Sequence, residues 1–215
     1  MAYTGDVSRG GAPAVRTLDH LTITKVSVGP MDNNAYLLRC GDDQLLIDAA
    51  NDDETLLALI GDAGLATVVT THRHGDHWQA LEDVVSATGA RSLAHADDAG
   101  EIPVVTATLA EGDTVTVGDC SLEVIHLVGH TPGSIALLYQ DPNGHGHLWT
   151  GDSLFPGGVG NTHGDKENFA SLIDDVERKL FDRLPDDTWF YPGHGKDSTL
   201  GAERPHLAEW RARGW

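Results

Sequence analysis

Positive charge is scarce in this chain of 215 residues: 14 Lys and Arg stand against 33 Asp and Glu, a formal net charge of −19. No basic run occurs. Binding a phosphate backbone depends on clustered cations that release counterions, so nucleic-acid partners are not expected. Cysteine is equally sparse. Cys40 and Cys120 lack CxxC spacing and read as two small buried hydrophobes rather than as a disulfide framework. The chain has no apolar stretch near the roughly 18 residues of a membrane helix, and no charged start followed by an apolar segment. The expectations are therefore no membrane partner, no export and a cytoplasmic location. Nor does any linker divide the sequence, so 1–215 is expected to form one domain, with 1–13 as its loose segment.

What is present is hydrophobic patterning that alternates between strand and helix periods. Strand-like segments cover Thr22–Val28, Ala35–Cys40 and Gln44–Ile47, broken by Gly29-Pro30 and Gly41-Asp42-Asp43, which reads as an antiparallel meander. A helix over Asp53–Ile60, stopped by Gly61, leads to the β-branched run Ala66–Thr70. A second helix is expected over Trp78–Ser86 and a strand near Arg91–Ala94. Four further strands follow, Thr114–Val117, Ser121–Leu127, Ser134–Gln140 and His147–Thr150, with Asp141-Pro142-Asn143-Gly144 as a hairpin turn. Phe169, Leu172, Ile173, Val176, Leu180 and Leu184 recur at helical spacing up to Pro185, and a last strand, Thr188–Tyr191, follows. This order of elements repeats coarsely, each half ending in a strand with a histidine-bearing loop. Two such halves face to face predict an α/β fold, a four-layer αββα sandwich with both loops at one rim.

The loop after Ala66–Thr70 is Thr71-His72-Arg73-His74-Gly75-Asp76-His77, an HxHxDH cluster. Ligands two apart point to different sides of a helix, whereas a turning loop brings His72 and His74 onto one ion. A bend at Gly75 then lets Asp76 and His77 serve a second ion, so the cluster poses the question of one metal or two. A capping role for Asp76 would leave the imidazoles unexplained. Three further residues share this setting at predicted strand ends: His130 in Gly129-His130-Thr131-Pro132-Gly133, Asp152 in Thr150-Gly151-Asp152-Ser153, and His194 in Pro192-Gly193-His194-Gly195. None is persuasive singly.

Together, in order and local context, these residues resemble the metallo-β-lactamase-fold hydrolase superfamily, whose pattern is HxHxDH, then His, then Asp, then His. The stretches Gly129-His130-Thr131-Pro132-Gly133-Ser134, Gly151-Asp152-Ser153-Leu154-Phe155 and Pro192-Gly193-His194 look like the glyoxalase II branch, the hydroxyacylglutathione hydrolases and their relatives. The resemblance implies one ion held by His72, His74 and His130, a second by Asp76, His77 and His194, and Asp152 bridging both. Asp48 is similar to a supporting acidic residue of this fold and equally reads as a plain turn aspartate. The loop Phe155–Thr162 departs from glyoxalase II proper, carrying Asn161 where an arginine is expected and no basic residue for glutathione. No separate C-terminal helical domain is expected after His194; the tail 203–215, with Trp210 and Trp215, is read as a short helix that packs on the core or closes the site.

Imidazole and carboxylate suit Zn²⁺ at roughly 2.0 to 2.2 Å, and two ions about 3.5 to 4 Å apart can share a water and lower its pKa to near 7. The expectation is a dinuclear hydrolase in which a metal-bridging hydroxide attacks the carbonyl of a small-molecule thioester, ester or lactone, with Asp76 orienting the nucleophile's proton. Its cofactors are two divalent ions, Zn first and Fe second. A rival on the same scaffold is a mononuclear iron persulfide dioxygenase, since imidazole and carboxylate serve both metals. Of the other histidines, His126 reads as a packed residue, His145 and His147 as hairpin residues, His20, His95 and His206 as lacking clustered partners, and His163 as the outsider nearest to a substrate.

Overall fold

The computed structural model describes residues 3–214. The first sheet begins as the expected meander: β1 (Ala14–Thr17), β2 (Thr22–Ser27), β3 (Asn34–Cys40) and β4 (Asp43–Ile47) pair antiparallel in turn. Helix α1 (Asp53–Ile60) then carries the chain to β5 (Thr67–Val69), and α2 (Leu81–Thr88) to β6 (Arg91–His95), each strand parallel to the one before. Parallel neighbours need such crossovers, which place both helices on one face of the sheet. Strand β7 (Ala107–Leu109) closes the edge.

The second sheet repeats the plan. Strands β8 (Thr114–Val117), β9 (Cys120–His126), β10 (Ile135–Gln140) and β11 (Gly146–Gly151) form an antiparallel run. A small hairpin of β12 (Leu154–Phe155) and β13 (Gly158–Val159) follows, then α3 (Lys166–Asp175), and β14 (Trp189–Pro192) returns parallel to β11. Strand β15 (Ser198–Thr199) and the short helices α4 (Leu200–Glu203) and α5 (Leu207–Arg213) end the described chain.

Strand alternation sorts the side chains into three apolar layers. Between the sheets lie Tyr36, Leu38, Leu45 and Ile47 from one side and Leu122, Val124, Leu137, Trp149 and Tyr191 from the other. The opposite face of the first sheet, with Ala35, Leu37, Leu46 and Val68, is covered by Leu56 and Ile60 of α1 and Leu81 and Val84 of α2. That of the second, with Ala136, Leu138, Leu148 and Phe190, is covered by Leu172 and Ile173 of α3 and Trp210 of α5. The result is the expected four-layer αββα sandwich.

Several local expectations needed correction. The helix after the histidine cluster starts at Leu81 and not at Trp78, because the amides of Gln79 and Ala80 donate to Ala50 and Ala49 instead of to a helix turn. The bend inside the cluster is a turn of 3₁₀ helix over Gly75–His77, and Gly75 needs no left-handed backbone to make it. The long helix widens after Asp175, where Asp182 donates five residues back to Glu177. Strands β1, β7, β12, β13 and β15 are too short or too polar to register as periodic runs.

The segment 1–13 was expected to be loose; Met1 and Ala2 lie outside the described residues, while Tyr3 donates its hydroxyl to Asp197 Oδ2 at 2.9 Å and Gly5 accepts from Lys25 at 3.0 Å. In the tail, Trp210 packs edge-on to Phe181, so this part of the helix seats on the core; Trp215 lies outside the described residues. Cys40 and Cys120, unrelated in sequence, meet between the sheets at the rim opposite the histidines, as free buried thiols beside a cavity of about 640 Å³. Among the described residues no helix is long and apolar enough to cross a membrane.

Candidate metal centre

The parallel strand pairs decide where the polar residues gather. Asp48 follows β4, His72–His77 follow β5, Asp152 follows β11 and His194 follows β14, while His130 sits in the turn from β9 to β10. Parallel neighbours end at the same rim, so all seven candidate ligands come together there. The repeat of element order seen in the sequence is the reason each half contributes.

Three nitrogens converge on one side. His74 Nδ1 lies 2.9 Å from His130 Nε2, which lies 3.3 Å from His72 Nε2. On the other side His77 Nε2 and His194 Nε2 are 3.2 Å apart, with Asp76 Oδ2 3.3 Å from the His194 nitrogen and 3.7 Å from that of His77. Asp152 stands between: Oδ1 is 3.4 Å from His77 Nε2, and Oδ2 is 3.3 Å from His194 Nε2 and 3.7 Å from His130 Nε2. Within each of the sets His72/His74/His130, His72/His77/Asp152 and Asp76/His77/His194, the donor atoms all lie within 4.8 Å of one another.

The far side of the rings is held by the protein. His77 Nδ1 meets Asp48 Oδ2 at 2.9 Å, His130 Nδ1 the Asn161 carbonyl at 2.8 Å, and His194 Nδ1 the Met31 carbonyl at 2.9 Å. These oxygens only accept, so each ring keeps a proton on Nδ1 and directs Nε2 inward. His72 Nδ1 lies 3.1 Å from the Thr71 hydroxyl, which in turn donates to Asp48. Asp76 Oδ2 accepts from Asn33 Nδ2 at 2.9 Å.

Charge follows burial and the carboxylates. Burial pushes His72 well below the ordinary imidazole range and also lowers His74 and His130, leaving neutral rings with free lone pairs. Burial acts the same way on His77, yet the carboxylates of Asp152 and Asp48 outweigh it and raise His77 to about 10. His194 rises too, because its contact with Asp152 outweighs burial. Asp152, which burial alone would raise, is held well below the carboxylate range by His77, His194 and His72.

The donor set fits divalent metal ions. Asp152 Oδ1 is buried without a hydrogen bond, an arrangement that is costly unless a cation satisfies it. Imidazole nitrogens that face one another at 2.9 to 3.3 Å match the edge of a coordination shell with metal–nitrogen distances of roughly 2.0 to 2.1 Å. Gly193 makes room: a Cβ there would fall 2.3 Å from Asp152 Oδ1 and 2.5 Å from His77 Cε1.

Asp48 is thus more than a turn residue, since it accepts from the Thr71 amide, the Thr71 hydroxyl and His77. Asn33 and the Asn161 carbonyl left no signal in the sequence; an Asn-Asn pair heading an apolar strand was the nearest hint for the first. His163, with a left-handed φ of 55°, brings its ring centroid to 6.3 Å from that of His74. With Arg73, His74, His130 and Asn168 it lines a cleft of about 270 Å³ beside the histidines. His145 and His147 stay apart from the centre and contact Arg16 and Tyr191 respectively. His95 is not without partners as expected, for it stacks on His126 with centroids 3.8 Å apart.

The family model described as the metallo-beta-lactamase superfamily matches residues 28–194. The hydroxyacylglutathione hydrolase of Polaromonas sp. (strain JS666) is 35% identical over 166 residues, covering 75% of this chain and 62% of that relative. The chain thus spans less than two thirds of the length of that curated relative. Among solved structures, ETHE1 from Myxococcus xanthus is 27% identical at a TM-score of 0.77, covering 88% of this chain and 84% of that one. TTHA1623 in a di-iron-bound form is 32% identical at a TM-score of 0.71, covering 84% of this chain and 96% of that one. The rim of histidines and carboxylates and the sandwich that presents it therefore have one origin: the chain belongs to the metallo-beta-lactamase superfamily.

Proposed function

We propose that the chain is a metal-dependent hydrolase acting on the carbonyl of a thioester, or of a related ester or lactone. Two divalent ions would be held by His72, His74 and His130 and by Asp76, His77 and His194, with Asp152 shared. The observation that carries this reading is the placement of Asp152, one carboxylate whose oxygens face both histidine groups at 3.3 to 3.7 Å. When bound, two such ions supply Lewis acidity and lower the pKa of a shared water towards about 7.

The chain's own residues do the rest. Asn33 fixes the Asp76 carboxylate at 2.9 Å, so that Asp76 is oriented to hold the proton of an attacking water. Asp48 and the carbonyls of Asn161 and Met31 keep the imidazoles in the tautomer that leaves Nε2 free. The cleft beside His74 and His130, with His163 and Asn168 on its wall, receives the acyl part of the substrate. One domain spanning 1–215, zinc as the first candidate metal and iron as the second, a small-molecule substrate with neither nucleic-acid nor membrane partner, and a cytoplasmic location complete the proposal.

The likeness to ETHE1 keeps a mononuclear iron persulfide dioxygenase as the reading to beat. Elemental analysis of the purified protein, hydrolysis of a hydroxyacyl thioester of glutathione and of simple lactones, and oxygen consumption with a persulfide separate the two. Two ions per chain with carbonyl hydrolysis are expected. One iron per chain with oxygen uptake and no hydrolysis would replace the proposal with its rival.

A further inference from the structure

A second group of metal-binding side chains lies at the same rim, outside the centre described above. His95 ends β6 of the first sheet, His126 ends β9 of the second, and Asp97 follows His95 by two residues. Their donor atoms all lie within 4.8 Å of one another, although the residues come from opposite sheets. We infer that His95, Asp97 and His126 form a third cation site, for a divalent transition ion with imidazole affinity such as Zn²⁺, distinct from the pair of ions at Asp152.

The arrangement of the donors supports this. The His126 Nε2 proton is committed to the Pro132 carbonyl at 2.7 Å, so in the neutral ring Nδ1 carries the lone pair. His95 Nδ1 accepts only from the Asp97 amide, at 3.2 Å, and lies 3.7 Å from Asp97 Oδ2. A bond of that length is at the weak end for N–H donors and yields to a cation. Ligands of one tetrahedral ion with metal distances of roughly 2.0 to 2.1 Å stand about 3.4 Å apart, so the Asp97 carboxylate closes the gap by a small rotation. It is free to do so, being 58% exposed, whereas His95 is fixed by burial. The rings stack at 23° with centroids 3.8 Å apart, so His126, the less buried ring, turns out of the stack to bring its Nδ1 lone pair onto the ion.

The surroundings bear on the catalytic rim, and Lys179, 3.3 Å from Glu111, balances part of their acidity. Glu111 accepts from the His126 amide at 2.6 Å, and the buried Asp98 follows Asp97 directly. Asp98 accepts from the Arg73 amide inside the histidine cluster and from Thr131 and Gly133 in the turn that carries His130. Pro132, which receives the His126 proton, belongs to that same turn. An ion here would brace the two loops that present His72, His74 and His130, without touching any of them.

The test is a Zn²⁺ titration of the metal-loaded protein by calorimetry, with elemental analysis of the end point. Variants Asp97→Asn and His126→Gln are compared with the parent. The first changes an exposed side chain, and the second keeps an amide able to donate to the Pro132 carbonyl. The parent should take up one further equivalent per chain at micromolar concentration. Both variants should bind that equivalent at least tenfold more weakly while retaining the parent's initial metal content. No further equivalent in the parent, or undiminished uptake in the variants, would overturn the inference.

Discussion

His77 Nδ1 and Asp48 Oδ2 lie 2.9 Å apart in the buried interior, and Asp48 reaches this position through left-handed backbone with a φ of 58°. The same carboxylate takes the Thr71 amide and hydroxyl, both at 2.8 Å, so one side chain fixes the start and the end of the histidine cluster. Asp48→Asn should therefore loosen metal binding on the His77 side by about 10- to 100-fold, the usual loss when an outer partner of a ligand is removed. Metal content after dialysis against a chelator, alongside circular dichroism to verify folding, reads this out. Undiminished metal retention would show that His77 is oriented by something else.

The layers and the candidate ligands were legible from the sequence for different reasons. Leu37 and Leu38, or Ile173 and Val176, sit in periodic runs, and periodicity reports which face is buried. His72 stood out within the HxHxDH cluster, whereas His130, Asp152 and His194 were legible only as an ordered set with it at strand ends, because each of the three taken singly has a bland reading. Asn33, the Asn161 carbonyl and the meeting of Cys40 with Cys120 were not legible: they depend on tertiary approach, and no spacing rule encodes a backbone carbonyl or a contact between sheets. The start of α2 was misjudged for a related reason, since the amides of Gln79 and Ala80 are claimed by carbonyls distant in sequence.

The close approach of the His194 turn to Asp152 makes Gly193 a sensitive position. Gly193→Ala would place a methyl 2.3 Å from Asp152 Oδ1 and 2.5 Å from His77 Cε1, and neither neighbour is a free chain end that can swing away. Loss of at least one metal ion and of most hydrolytic activity is expected, with the secondary structure retained. A fully loaded and active Gly193→Ala protein would mean that the turn relaxes without disturbing the centre.

Beneath the same turn, Lys25 Nζ donates to the carbonyls of Gly195 and Gly5 and to Asp197 Oδ1, and both charged side chains are wholly buried. Burial outweighs the pairing for both, lowering Lys25 and raising Asp197 towards their neutral forms. A pair so desolvated is worth little against an apolar replacement, but breaking it strands a charge. Lys25→Met alone should cost about 3 to 5 kcal/mol of stability, and the double replacement Lys25→Met with Asp197→Leu should recover much of it. Denaturant unfolding of the two single variants and the double variant gives the coupling. Strictly additive losses would sink this account of the cluster.

His147 makes the strongest case for a pH-dependent stability set apart from the metal ligands. It is fully buried; the Tyr191 hydroxyl, itself receiving from Arg16, lies 2.8 Å from Nδ1, which leaves the proton on Nε2 without an acceptor. Burial first, then Arg16 and His145, lowers this imidazole to about 3. An unfolded histidine takes up its proton near pH 6.5, so between there and about 3 the unfolded chain binds a proton that the folded one refuses. Stability therefore falls as the pH drops through that window, by at most about 1.4 kcal/mol per pH unit from this group. His147→Phe keeps an aromatic ring between Tyr139 and Tyr191 and has nothing to titrate. Urea unfolding of metal-free protein at pH 7.5, 6.5 and 5.5 should show the parent losing stability more steeply than the variant, with the difference growing below pH 6.5. Carboxylates and the histidines of the metal rim titrate alike in both proteins, so they cancel in the comparison, and parallel curves would mean that His147 accepts its proton inside the fold.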